Sequence, residues 1–322
     1  MKSNRPLVSV ILAVKDGEKT LHKVLDSLLN QTYSNLEIVV VNDGSKDKTA
    51  SILERYERKD SRVKVITNKR NLGKCKSRNK AIKESTGKYI AVNDADDISY
   101  PHRIERELEY LANNQKVYLV GSRANILDEQ GKRIGISWGK KEPANISGLL
   151  LQRNVLVHSS VMFRNEQEFF YREKFPRAQD YDLYLQMVAH RKRIHILPNI
   201  LVGYSTKKDI EYGEYLIDQI VFSYTMQKLA KQYLKTGKDM YEKITKEYMY
   251  EIFPKDELAM LYFLQSYTQE DFRKAQKEMI VIIKTYGINI QRVIYLIDAY
   301  LGGGIFRLGK KLKRYIRNIF NV

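Results

Sequence analysis

With a single cysteine, Cys75, the chain has no internal disulfide framework and no thiol cluster for zinc or iron–sulfur chemistry, which fits a reducing cytosol. Proline and glycine are sparse, 6 and 17 among 322 residues, and neither low-complexity tracts nor repeats of solenoid or propeller period occur. Fibrous and repeat architectures are thereby excluded. Long apolar runs are also missing. Met1 to Pro6 leads straight into a strand-like segment without a signal-peptide core, and no stretch reaches the roughly 18 apolar residues of a membrane span. The expectation is a protein on the cytoplasmic side. Neither Gly-x-Gly-x-x-Gly after the first strand nor Gly-x-x-x-x-Gly-Lys-Ser/Thr is present, so the dinucleotide fingerprint and the P-loop drop out.

What is present is a hydrophobic content of 43%, enough for one sizeable α/β domain and a smaller second unit. The formal charge of +18 suits polyanions: nucleic acid, an anionic membrane or phosphorylated substrates. Part of it is concentrated at the end, in Arg307, Lys310, Lys311, Lys313, Arg314 and Arg317, with no acidic residue after Asp298.

Leu7 to Val14 and Leu36 to Asn42 are near-continuous β-branched and apolar runs, as expected of parallel strands buried on both faces. Between them, Leu21, Val24, Leu25, Leu28 and Leu29 form one apolar stripe in a helix spanning Glu18 to Gln31. The alternation continues with a helix over Lys46 to Arg58, a strand over Val63 to Thr67, a helix over Lys76 to Ser85 and a strand over Tyr89 to Asn93. Ligands of such a sheet bind at the carboxyl ends of its strands. Further on come a helix over Arg103 to Asn113, strands over Val117 to Leu127, Arg133 to Ser137 and Val155 to Phe163, a helix over Asp180 to His190, and extended chain over Ile194 to Val202. After about Ser205 the signals are helical, giving a catalytic domain over 1–205 and a helical, basic region over 206–322.

Three loops at the expected ligand edge carry chemistry. Asn93-Asp94-Ala95-Asp96-Asp97 sets three carboxylates at the end of a buried strand, a set suited to a hard divalent cation. The plainer alternative is a solvated acidic turn before the next helix. Asn42-Asp43-Gly44-Ser45 offers Asp43 as an acceptor for a base N–H and Gly44 for the tight turn, while Ser45 and Asp47 read as ordinary helix caps. Val14-Lys15-Asp16-Gly17 closes the first strand. The basic run from Asn68 to Asn79, with Asn71, Gly73 and Arg78, approaches a helix N-terminus, where phosphate oxygens are favourably received.

Taken together, Val8 to Val14, Gln31 to Ser45, the Asn71-to-Asn79 loop and the Asp94 loop resemble the family-2 inverting glycosyltransferases, over roughly Pro6 to Tyr204. The resemblance implies an α/β fold of the GT-A type: a Rossmann-like, mostly parallel central sheet flanked by helices, here with a helical C-terminal extension. It also implies a nucleotide-sugar donor, UDP-linked by default, and a Mn2+ or Mg2+ cofactor. By motif, Ala13, Val14, Lys15, Asp16 and Asp43 would hold the nucleotide, with Asn71, Arg78 and the Asp94-Ala95 segment also at the donor. Asp94 and Asp96 match the family's Asp-x-Asp, Asp96 nearest the metal, and Asp97 is read as structural. Gln179-Asp180-Tyr181-Asp182 matches the element that supplies the catalytic base, which assigns Asp180 as base and Asp182 to packing or capping.

Lys15 replaces a common aromatic, Asn42 a common Asp and Gln179 a common acid, and the Gln-x-x-Arg-Trp element of processive synthases is missing, which points to single-sugar transfer. His158 sits in an apolar run that resembles a sugar-site segment; a satisfied core histidine is the alternative. Trp138 is either acceptor-facing or packed. The tail from Ile305 to Val322 puts Leu308, Leu312, Ile316, Ile319 and Phe320 on one helical side, the pattern of an interfacial helix or of a basic helix packed on its own domain. The expected setting is peripheral, at the inner face of the cell membrane. A glycan or lipid-linked acceptor is expected and nucleic acid is not; a catalytically silent binding module and a basic nucleic-acid-binding protein are the competing classes.

Overall fold

The computed structural model describes residues 5–206, 214–255, 257–258, 261–262 and 285. The tail expected to form a basic helix, 305–322, lies outside the described residues.

The first half is a strand–helix alternation: β1 (Val8–Val14), α1 (Leu21–Leu29), β2 (Leu36–Asn42), α2 (Thr49–Lys59), β3 (Val63–Thr67), α3 (Lys74–Glu84) and β4 (Tyr89–Val92). There follow β5 (Ile98–Ser99), α4 (Arg103–Asn113), β6 (Val117–Leu127), β7 (Arg133–Ile136), β8 (Ala144–Asn145), α5 (Ser147–Leu150), β9 (Val161–Arg164), α6 (Gln179–Ala189) and β10 (Arg193–Ser205). Helices α7 (Glu214–Thr236) and α8 (Lys246–Ile252) come last among the described elements.

Ten strands join in one sheet of order β3-β2-β1-β4-β9-β6-β10-β5, with β7 added on β6 and β8 on β10. From β3 to β4 every pairing is parallel, and β6 with β10 is parallel too; β9 runs antiparallel to both neighbours, β4 and β6. The parallel half is what the continuous apolar runs demanded, since helices cover both faces and leave β2 buried along its whole length. Direction beyond β4 is invisible to such runs, because a buried strand has the same composition either way. Each apolar residue of α1 facing this sheet (Leu21, Val24, Leu25, Leu28) is fully buried, worth about 1.5–3 kcal/mol per side chain.

Several elements depart from the sequence expectation: the short β5, β8 and α5 were not expected, and α2 begins at Thr49 rather than Lys46. The run from Val155 to Phe163 is not one strand: Val157 turns into a 3-10 helix over His158–Ser160, and only Val161–Arg164 is extended. Helix α1 starts at Leu21 rather than Glu18, and the amides of Gly17 and Glu18 before it donate to Thr49 and Asp47 across the loop.

Two compact units divide the chain, Met1–Lys208 with Leu229–Asp239, and Asp209–Lys228 with Met240–Val322. In the first, Tyr233 stacks on His190 with ring centroids 4.4 Å apart and Asp239 pairs with Arg172 at 2.7 Å. In the second, Asp218 accepts from Lys246 Nζ and from the Tyr250 hydroxyl, and Tyr224 meets Phe253 edge-on. No helix among the described residues is long and apolar enough to cross a membrane.

Candidate active site

In the strand order 3-2-1-4 the chain reverses its direction of travel between β1 and β4, the switch point at which sheets of this kind form their ligand crevice, outside the carboxyl ends of the strands. The loops after β1, β2 and β4 border it. The first two are clasped side chain to backbone. Asp16 Oδ1 accepts from Lys46 N at 2.7 Å while Asp16 N donates to Ser45 Oγ at 3.0 Å. Asp47 accepts from Glu18 N, Thr49 Oγ1 accepts from Gly17 N, and Glu18 accepts from Lys48 N. Asp16 adopts a left-handed backbone at φ 52°, a conformation that aspartate tolerates better than most residues. Ser45, expected as a helix cap, is thus a fastener between loops, while Asp47 does both: Oδ2 accepts from Glu18 N across the loops and Oδ1 accepts from Thr49 N at the start of α2. Val14 is buried, Ala13 half-buried, and Lys15 extends into solvent 3.9 Å from Asp16.

Asp43 is buried and already well supplied with donors. Oδ1 accepts from Leu72 N at 2.8 Å and Asn68 Nδ2 at 3.0 Å, and Oδ2 from Gly73 N at 2.9 Å. Burial would raise its pKa, but these bonds and the Ser77 hydroxyl outweigh burial and keep the carboxyl ionised below the usual range. Its structural task, unseen in the sequence, is to shape the loop 68–73, where Asn71 Oδ1 also accepts from Gly73 N. Gly44, at φ 68°, allows that approach: a Cβ there would lie 2.6 Å from the Arg70 carbonyl carbon and 2.7 Å from Asn71 N.

The Asp94 loop lies across the crevice. Asp94 Oδ1 receives Arg78 Nη2 at 2.6 Å, and both its oxygens lie 3.0–3.1 Å from His158 Nδ1. Burial acts to raise the Asp94 carboxyl, yet His158 and Arg78 overcome it and hold the group far below the ordinary carboxylate range. Helix α3 delivers Arg78, and the 3-10 turn delivers His158, so residues 16 and 64 positions from Asp94 converge on one carboxylate. His158 Nε2 meets the hydroxyl of Tyr171 at 2.8 Å. The Ala95 carbonyl accepts from Thr20 Oγ1 at 2.7 Å.

Asp97 is 1% exposed, receives the Ser159 hydroxyl and Ser205 N, and is pushed well above its usual value by burial and by Asp94. It ties the loop to the 3-10 turn and to the end of β10. Half-buried Asp96 stands beside it, its carbonyl bonded to Ser205 Oγ at 2.6 Å. Behind the loop, fully buried Arg103 donates to Asn93 Oδ1, Ser99 Oγ and the Val92 carbonyl. It pairs with Glu107, whose carboxyl burial raises to about 7 against the opposing pull of Arg103.

Asp180 occupies the first turn of α6, after Ala178 in a left-handed conformation at φ 52°. Asp180 is half-buried, accepts from Asn154 Nδ2 at 3.1 Å, and its charge is felt by Arg78, Tyr171 and Tyr204. Asp182, two residues on, is fully buried in a bidentate pair with Arg172 and packs rather than facing the crevice. Trp138 is half-buried with Lys140 Nζ 5.8 Å from its ring centroid. The structure thus brings Arg78, Asp94, His158 and Asp180 into one electrostatic neighbourhood. Tyr171, Ser159, Arg103 and Asn154 were missed by sequence reasoning, since nothing in spacing marks one tyrosine out of 23.

The family model "Glycosyl transferase family 2" matches residues 9–173. An uncharacterized glycosyltransferase of Methanocaldococcus jannaschii is 34% identical over 226 residues, 69% of this chain and 78% of that protein. The O-antigen biosynthesis glycosyltransferase WbnJ of Escherichia coli is 31% identical over 189 residues, 56% of this chain and 72% of WbnJ. In fold, the chain is similar to residues 1–349 of S. aureus TarS in complex with UDP-GlcNAc, with a TM-score of 0.57 at 16% identity, covering 98% of this chain and 91% of that one. The archaeal likeness runs along most of both sequences and the family match spans about half of this one, so the protein belongs to glycosyl transferase family 2 and has its GT-A fold.

Proposed function

We propose that this glycosyltransferase moves one sugar from a UDP-sugar to a hydroxyl of a glycan or lipid-linked acceptor, inverting the anomeric carbon, in the synthesis of a surface polysaccharide. The observation that carries the proposal is that Asp94 and Asp180, 86 positions apart, act on the same three side chains, Arg78, Tyr171 and Tyr204. The complex of TarS with UDP-GlcNAc and the O-antigen role printed for WbnJ support donor and pathway class.

In this proposal the base of the nucleotide lies against Val14, Lys15, Asp16 and the loop that Asp43 anchors beside Asn71. Asp94, Ala95 and Asp96 meet the diphosphate and sugar. A hard cation shared with a diphosphate takes only one or two protein carboxylates and fills its shell with water and phosphate oxygens. Asp94 and Asp96 are a donor set of that kind, and among the described residues no three His, Cys, Asp or Glu side chains converge as a complete protein cage. Mn2+ or Mg2+ held there would neutralise the departing diphosphate. Arg78 and His158 keep the Asp94 carboxylate ionised and oriented. Asp180, turned by Asn154, takes the proton of the acceptor hydroxyl as that oxygen attacks the anomeric carbon from the face opposite the leaving group. The tail places the enzyme at the inner face of the membrane.

The test is a donor screen with Mn2+ present, followed by Asp180→Asn. Transfer should fall by about 10²–10⁴ while UDP affinity is retained. A variant with most of its turnover would remove Asp180 from the chemistry, and a wild-type chain that neither binds nor turns over any nucleotide sugar would leave a silent binding module.

A further inference from the structure

We propose that Tyr171 is a positioning residue of the donor site: one buried side chain holds both groups that grip Asp94, His158 through its hydroxyl and Arg78 through its ring. This rests on the reading of the Asp94 loop as the donor site.

Tyr171 lies between β9 and α6, outside the loops that line the crevice, and is 2% exposed. Its hydroxyl is 2.8 Å from His158 Nε2, and the two rings meet edge to face, with centroids 5.8 Å apart and planes at 75°. The Arg78 guanidinium lies 5.4 Å from the centroid of the same ring. The backbone of Tyr171 is clamped twice by Asn79, which donates from Nδ2 to its carbonyl and accepts from its amide, both at 2.8 Å. Asn79 is the neighbour of Arg78 on α3, so one turn of helix fixes both the tyrosine and the arginine that its ring supports.

The hydroxyl does more than fill space, because it anchors Nε2 of the imidazole whose Nδ1 meets both oxygens of Asp94. Burial pushes the Tyr171 phenol well above its usual value, so the hydroxyl keeps its proton. Tyr171 therefore fixes the ring of His158 against Asp94, and its own ring backs the guanidinium that makes the second contact. With one of the two lost, the carboxylate is free to rotate away from the diphosphate.

The experiment is Tyr171→Phe in the full chain, which keeps the ring and removes the hydroxyl. In 15N-histidine spectra of the wild type, the His158 signals should move when UDP is added, because the carboxylate that His158 holds meets the diphosphate. UDP affinity, read by calorimetry, should fall about three- to tenfold, the loss expected for one hydrogen bond, with the acceptor KM unchanged. Wild-type His158 signals that stay in place at saturating UDP overturn the proposal even if the variant does not fold, and so does unchanged UDP affinity in Tyr171→Phe. A wild-type chain that binds no nucleotide at all by calorimetry strikes at the transferase reading instead, which tells the two failures apart.

Discussion

Asp180 and Asp182 share the first turn of α6 and a short motif, but their surroundings give them opposite work. Asp180 is half-buried and touched by one exposed amide, so its removal should act on rate. Asp182 is sealed against Arg172 and Gln186, and Asp182→Asn would break the buried, bidentate side of a pairing that leaves the Arg172 guanidinium to Asp239. Breaking one side of such a pair typically costs about 3–5 kcal/mol. We expect Asp182→Asn to lower the unfolding midpoint markedly while Asp180→Asn leaves it in place; equal midpoints in denaturant melts would contradict this division. Glu37 supplies the pH dependence. Burial would raise its carboxyl, but Lys64, Ser9 and Thr86 bring it from the usual 4.5 down to about 2. A depressed acid contributes its stability above the unfolded value and loses it as pH falls through the folded one. Stability should therefore drop between about pH 4.5 and 2, by an amount on the order of 3 kcal/mol, and Glu37→Gln should flatten that limb of the pH–stability curve.

At the scale of elements, the loops after β1 and β2 act as one piece because side chains of each bind amides of the other. The loop 68–73 is fastened to the same piece through Asp43. Gly44 is where these three meet, and its positive φ and the Arg70 backbone both forbid a Cβ. Gly44→Ala should cost about 1–3 kcal/mol in overpacking and weaken nucleotide binding by moving the Asp43 loop. A variant with wild-type stability and UDP affinity would show that the contact relaxes freely. The strands β1 and β2 and the helices α1 and α4 were legible because each carries a strong period or an unbroken apolar run. The 3-10 turn at His158 was not: Leu156, Val157, Val161, Met162 and Phe163 mimic a strand on either side of a turn that is fastened through Ser159 to the amide of Asp94 and the carboxyl of Asp97.

At the scale of the whole molecule, a charge of +18 must be reconciled with a site built of carboxylates. Asp94 and Asp180 both act on Arg78, Tyr171 and Tyr204, while six basic residues lie in the tail. On an anionic membrane each Lys or Arg contributes roughly 1 kcal/mol, so we expect deletion of the residues after Gly304 to move the enzyme off vesicles containing anionic lipid. Unchanged sedimentation with those vesicles would mean that the tail is not the anchor. Catalysis on a soluble acceptor should survive that deletion.

What the sequence determined by itself is whatever depends on neighbours along the chain: the alternation of buried strands and amphipathic helices, the turn at Gly44, and the clustering of acids after β4. Periodicity and local dihedral preference act over a few residues, and they are written in order. Only the tertiary structure decided which residues meet across the sheet, that Asp94 is gripped by Arg78 and His158, that Asp43 shapes a loop, and that Tyr171 stands behind both partners of Asp94. Those contacts join residues up to 93 positions apart, counting from Arg78 to Tyr171. Such separations leave no periodic trace, because their partners are chosen by the packing of whole elements.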